Sequence, residues 1–116
     1  MRRGDVYLAD LGQPQGSEAG QRRPVVIVSH DALNRVVVGL GRGVVTVVPI
    51  TSNVERVHPF QVLLGADETG LEVDGKAQAE QVRSIAVARL RPGAIAALPA
   101  ERVRQLDAAL RLHLAL

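Results

Sequence analysis

The segment Gly20–Ser29, GQRRPVVIVS, sets two arginines and a proline directly against four aliphatic residues. Val25, Val26, Ile27 and Val28 are all β-branched and form a short apolar run, so they read as a buried strand. Pro24 fits at its first position, where no ladder donor is required. Similar units recur on either side. Asp5–Leu11 predicts a first strand, and the loop GQPQGSEAGQRR carries the chain to the second. VVTVVPIT, Val44–Thr51, predicts a third, central in the sheet until Pro49 ends its pairing. HPFQVLL predicts a fourth, with Phe60, Val62 and Leu64 alternating against Gln61 and Leu63. GLEVDGKAQAEQVRSI supplies one or two more, ending near Ile85, and GAIAAL a last one. Strands spaced at roughly 8–12 residues with glycine-bearing turns predict a small antiparallel barrel.

The segments between the strands are shorter and more varied. HDALNR predicts a short helical turn capped by Asp31. Residues 35–43 contain both the β-branched triplet VVV and the glycine-rich GLGRG, and read as a mobile loop placed to act as a lid. DETG and Val87–Leu90 read as turns. At the C-terminus the period changes: Val103, Leu106, Leu110 and Leu114 fall at helical spacing, with Pro99 and Glu101 suited to the first turn. Leu112 and Leu116 widen that apolar face beyond what one small barrel needs, which predicts a homodimer interface. The fold class is therefore mainly β with helices (α+β), a barrel with a C-terminal helix, in a single domain over residues 1–116.

Composition excludes several functions. Hydrophobic residues make up 47% of the 116, ample for a core. Tyr7 and Phe60 are the only aromatic Phe, Trp or Tyr residues, so nucleic-acid bases have almost no platforms to stack on. Without cysteine there are no disulfides, thiolate nucleophiles or Cys-based zinc sites, and a reducing cytoplasm is the expected home. Asp5 and Asp10 interrupt the N-terminal apolar pattern, leaving no signal-peptide core, and no apolar run nears the roughly 20 residues of a membrane span. The net charge is only +2, yet thirteen of the fourteen basic residues are arginine. Their planar forks match phosphate bidentately.

Few residue groupings carry chemistry. GLGRG is followed by VVTVV rather than a helix, so it is no dinucleotide fingerprint. His30, His58 and His113 lack metal-ligand spacing, and no metal or cofactor is expected. Asp5, Asp10, Asp67, Glu68, Glu72 and Asp74 flank strands and turns as solvated acids. Gln78, Glu80, Gln81 and Arg83 bunch within one predicted strand, which suggests a binding surface. The strongest grouping joins two strand ends: Arg22 and Arg23 before Pro24, and Thr51, Ser52 and Asn53 after Ile50. If these strands are antiparallel neighbours, the start of one lies beside the end of the other. Guanidiniums and hydroxyls then share one rim suited to phosphate.

At these residues the chain resembles the MazF/PemK toxins of bacterial toxin–antitoxin pairs. RRGDVYLADLG, GSEAGQRRPVVIVS, VVPITSN, PFQVLL and AEQVRSI match in order from Arg3 to the C-terminal helix. The resemblance implies an SH3-like barrel assembled as a homodimer, a cytoplasmic, sequence-specific and metal-independent endoribonuclease for single-stranded RNA, and an antitoxin whose tail blocks the RNA site. It implies catalysis by the Arg of the R-P motif and the Thr of the I-T motif, here Arg23 and Thr51, with Arg22 as a phosphate contact. Metal-free cleavage proceeds by 2′-OH attack on the adjacent phosphate, giving a 2′,3′-cyclic phosphate and a 5′-OH; it needs a base, an acid and charge stabilisation. A guanidinium holds its proton, which suits Arg23 to stabilisation and leaves Glu18, Glu80 or solvent as the base. Ser17, Glu18, Asn53, Glu80 and Gln81 are expected to meet base edges, with Ser52 and Arg83 completing the RNA surface. Toxins of the same fold that bind DNA gyrase are the alternative; they lack the Arg and Thr pair.

Overall fold

The computed structural model describes residues Met1–Leu116. Seven strands form one sheet: β1 (Asp5–Asp10), β2 (Arg22–Ile27), β3 (Val44–Thr51), β4 (Gln61–Leu64), β5 (Gly75–Gln78), β6 (Arg83–Ala86) and β7 (Ala96–Ala97). Their order is β4-β5-β3-β2-β1-β7, all neighbours antiparallel, with β6 also on β3. Just beyond β6, Leu90 bridges back to Ala9 of β1, so the sheet curls onto itself as the expected SH3-like barrel. No helix is long and apolar enough to cross a membrane.

The aliphatic runs are continuous because β2 and β3 are covered on both faces. Val26, Val48 and Ile50 join Val6, Leu64 and the C-terminal helix in one core. Val25, Ile27, Val45 and Val47 point the other way into a second core with Leu11, Val37 and Ile85. All of these β2 and β3 side chains are at most 2% exposed, which fixes both strands at the centre of the molecule.

Two prolines shape the edges of this centre. Pro24 is the third residue of β2, not the first, because Arg22 and Arg23 already pair with Asp10 and Ala9 of β1. On the other side the β2–β3 ladder stops at Val25↔Pro49. Val28 N donates to Thr46 O at 2.9 Å, so the even-numbered residues of both strands face each other's backbones. The next such rung would be Pro24 with Ile50, and Pro24 has no N–H to give. Pro49 withholds its donor from the opposite side of β3. There two residues of β3, Val48 and Pro49, face the five-residue stretch between Ala77 and Arg83, which leaves the ladder as a 3₁₀ turn at Ala79–Gln81. Glu80 and Gln81 therefore sit on that turn rather than mid-strand.

The helices depart furthest from expectation. Residues 35–43 are not a mobile loop or lid: α1 runs from Asp31 to Leu40 and absorbs VVV. The N-cap is His30, whose Nδ1 accepts from Ala32 N at 3.0 Å, while Asp31 accepts instead from Arg3 N at 2.6 Å. That bond holds the Asp31 carboxyl below its ordinary range. Buried Asn34 docks the helix: its Nδ2 donates to Ser29 O at 2.9 Å and its Oδ1 accepts from Ser29 Oγ at 2.5 Å. Gly41, at φ 67°, then ends it in the left-handed conformation. Asp67–Thr69 of DETG is likewise helical, within α2 (Ala66–Thr69), with Gly70 as its C-cap, and Phe60 lies outside β4. Glu68 of α2 accepts from Gly65 N at 2.9 Å and from Arg102 Nε at 2.9 Å, which depresses its carboxyl pKa. The C-terminal helix α3 (Ala100–Leu114) buries Leu106 and Ala109 and half-buries Val103 and Leu110. Leu112 and Leu114 remain 57% and 48% exposed.

Candidate active site

Where β2 and β3 part, a cavity of about 320 Å³ opens, walled by Gln21, Arg22, Arg23, Thr51, Ser52 and Asp74 together with apolar residues such as Leu71 and Val73. The register explains the pairing of the key side chains. Continuing two residues past Val25↔Pro49 sets Arg23 opposite Thr51, on the face shared by Val25, Ile27 and Val47. The buried aliphatic residues of both strands thus hold the two polar ends in position. Arg22 points to the other face of β2, is exposed, and still lines the opening.

Local hydrogen bonds orient these groups. Arg23 Nε donates to Gly20 O at 3.0 Å, which leaves both Nη groups of its fork free. Thr51 Oγ1 accepts from Asn53 N at 3.3 Å, so the hydroxyl proton can be offered elsewhere. Asn53 Oδ1 is engaged by Glu55 N at 3.2 Å, in a turn that carries Ser52 past the cavity mouth. On the far wall Gly75 must be glycine: a Cβ there would lie 2.8 Å from Ile50 Cγ2 and 3.0 Å from Thr51 O. This close approach brings Asp74 into the wall. Asp74 Oδ1 accepts from Ala66 N at 2.9 Å, and its second carboxylate oxygen remains available.

The loop between β1 and β2 forms the remaining rim. Leu11 N donates to Gln21 O at 2.8 Å and Gln21 N to Gly12 O at 2.6 Å, closing its base. Gln21 adopts φ 59°, a left-handed conformation unusual for a residue with a side chain. Ser17 and Glu18 are exposed on this loop, and Glu18 Oε1 accepts from Gln15 N at 2.9 Å.

Of the residues the sequence singled out, the cavity gathers Arg22, Arg23, Thr51 and Ser52. Ser17, Glu18, Asn53, Glu80, Gln81 and Arg83 do not line it. Glu80 Oε2 accepts from Gln61 Nε2 at 2.6 Å, Arg83 Nη1 donates to Leu11 O at 3.4 Å, and the Gln81 amide bonds the β1–β2 loop. The sequence by itself places Asp74 among the solvated turn acids. The signal that could have found it is the Asp-Gly step opening β5, whose register places Lys76 beside Thr51.

Comparison with known proteins bears on this site. The family model described as "PemK-like, MazF-like toxin of type II toxin-antitoxin system" matches residues 2–114. Endoribonuclease MazF9 of Mycobacterium tuberculosis is 57% identical over 115 residues, 98% of this chain and 96% of that protein. Among solved structures, MazF from Deinococcus radiodurans superposes with a TM-score of 0.81 at 27% identity, covering 100% of this chain and 97% of that one. An endoribonuclease in complex with its cognate antitoxin, from a mycobacterial species, gives 0.78 at 24% identity and covers 100% and 96%.

Proposed function

The chain belongs to the family of PemK-like and MazF-like toxins of type II toxin–antitoxin systems, and from that premise we propose that it is a metal-independent endoribonuclease cutting single-stranded RNA at a short sequence. The observation that carries the reading is the convergence of the Arg23 fork and the Thr51 hydroxyl on one cavity, each already oriented by a backbone group.

In the proposed reaction the ribose 2′-oxygen attacks the adjacent phosphorus, and the bond from phosphorus to the 5′-oxygen breaks. The products are a 2′,3′-cyclic phosphate and a 5′-OH. Arg23 neutralises the charge that builds on the phosphoryl oxygens, and Thr51 donates to one of them. Asp74 is the one carboxylate in the cavity wall and takes the 2′-OH proton; Glu18 and Glu80 face away, toward Gln15 and Gln61. The leaving 5′-oxygen takes its proton from water, while Arg22 holds the phosphate with its charge intact. Exposed polar groups at the mouth, Ser52 and Asn53 among them, read base edges where aromatic stacking is unavailable.

The same reading makes residues 1–116 one cytoplasmic toxin domain, silenced by an antitoxin whose tail fills the cavity. It also makes the protein a homodimer. Leu110, Leu114 and Leu116 line a second groove of about 340 Å³ with Val28 and Val82, and a second copy would cover this face.

The test is to incubate the protein with a long RNA in excess EDTA and map the new ends. Cuts at one short motif bearing 5′-OH ends are expected, and Arg23→Ala abolishes them. Loss of cutting in EDTA overturns the metal-free mechanism. Inhibition of gyrase without any RNA cleavage would establish the rival activity.

A further inference from the structure

The side-chain amide of Gln81 is used at both ends by one loop. Its Oε1 accepts from Ala19 N at 3.1 Å and its Nε2 donates to Ser17 O at 2.8 Å. These two bonds cross 62 and 64 residues of sequence and are the side-chain amide's hydrogen bonds to the β1–β2 loop. A glutamine reading RNA bases would have to give them up.

The base of this clamp is firm. Gln81 ends the 3₁₀ turn whose Ala79 is fully buried in the core under α3, and Ala79 N donates to Phe60 O at 3.2 Å. The clamped end is equally constrained. Ala19 and Gly20 are buried, and Gly20 lies so close to Pro14 that a Cβ would come within 2.5 Å of its Cδ. The residue after Ala19 is the one whose carbonyl holds Arg23 Nε at 3.0 Å.

We propose that Gln81 is a positioning residue for the nuclease reaction: by pinning Ser17 and Ala19 it holds the chain entering Gly20, whose carbonyl plane the Gln21 N–H bond to Gly12 O fixes from the other side, and the two together set the direction of the Arg23 fork. The inference rests on the endoribonuclease reading and assigns to Gln81 a task other than base recognition. The amide is the functional group the clamp needs, since one atom must accept and the other donate. A carboxylate in its place would keep the bond to Ala19 and oppose the Ser17 carbonyl.

The test measures kcat and KM of Gln81→Ala and Gln81→Glu on an oligoribonucleotide bearing the mapped site, in wild-type and Arg23→Lys backgrounds, with Ala19 amide exchange and urea unfolding alongside. In the wild-type background both variants lose kcat, by up to about 100-fold, the loss that displacement of a reacting group by an ångström brings. KM and the cleavage motif stay unchanged, and the Ala19 amide exchanges faster. In the Arg23→Lys background, where the anchored fork is gone, Gln81→Ala costs less than twofold further. A changed motif or a raised KM with kcat intact would make Gln81 a base reader and overturn the inference. Equal losses in both backgrounds, tracking a lowered urea midpoint, would reduce its role to stability. Absence of cleavage by the wild type would overturn the nuclease reading and this inference together, whereas the other outcomes overturn this inference alone.

Discussion

Exchange of Arg23 for lysine separates charge from geometry at the cavity. Arg23 commits Nε to Gly20 O at 3.0 Å and keeps two Nη groups for a phosphate. Lysine carries the same charge on one nitrogen, which cannot reach the Gly20 carbonyl and present a two-pronged face to phosphate at once. At least one charge-assisted hydrogen bond to the transition state is lost, at about 1.5–3 kcal/mol. With about 1.36 kcal/mol per decade, that is a slowing of roughly 10- to 150-fold. The assay is single-turnover cleavage of an end-labelled oligoribonucleotide in EDTA, with urea unfolding to confirm that the half-buried position tolerates the exchange. A rate within threefold of the wild type refutes the argument from fork geometry. A loss as deep as that of Arg23→Ala would show instead that the bare charge contributes nothing.

Three further outcomes follow from the packing and the ion pairs. Gly75→Ala drives a methyl group against Ile50 Cγ2 and Thr51 O; an overpacking cost of about 1–3 kcal/mol should appear in the urea midpoint, together with reduced cleavage as Thr51 shifts, and an unchanged midpoint contradicts it. Asp31 and Glu68 both have carboxyl pKa values lowered from 3.8 and 4.5 by the Arg3 N–H and by the Gly65 N–H with Arg102, respectively. Their ionised forms therefore stabilise the fold fully above those ordinary values, and the contribution is lost as pH falls through the lowered ones. The urea midpoint should drop on acidification below about pH 4.5, and Glu68→Gln should flatten the drop; an identical slope in that variant counts against the assignment. Leu114→Glu, at a position 48% exposed, should yield a folded monomer by sedimentation, with a urea midpoint that no longer rises with protein concentration, and a persistent dimer would move the interface elsewhere.

The centre of the fold was legible because its strands are wetted on neither face. Uninterrupted runs such as VVIV and VVTVVPI admit few other readings, and antiparallel pairing puts the start of β2, with Arg23, at the end of β3, with Thr51. α1 is hidden in the sequence because Val36, Val37 and Val38 favour strands locally and three glycines follow them closely. The helix is tied down by the Arg3 N–H on Asp31, 28 residues away, and by Val37 in the second core, which are tertiary facts. Glu80 and Gln81 read as strand residues because nothing local announces that five residues must pass two of β3 there. Asp74 reads as a solvated turn acid for a similar reason: the register of β5 on the end of β3 carries it to the cavity.

Pro24 has a consequence beyond its place in β2. Side by side, β2 and β3 would close like a zip, each rung drawing the next together, and the imino nitrogen is the tooth that fails to engage. Any residue with an N–H at position 24 could give the Ile50 carbonyl the donor that proline withholds. The missing donor falls at the end of β2 nearest the cavity, one residue from Arg23.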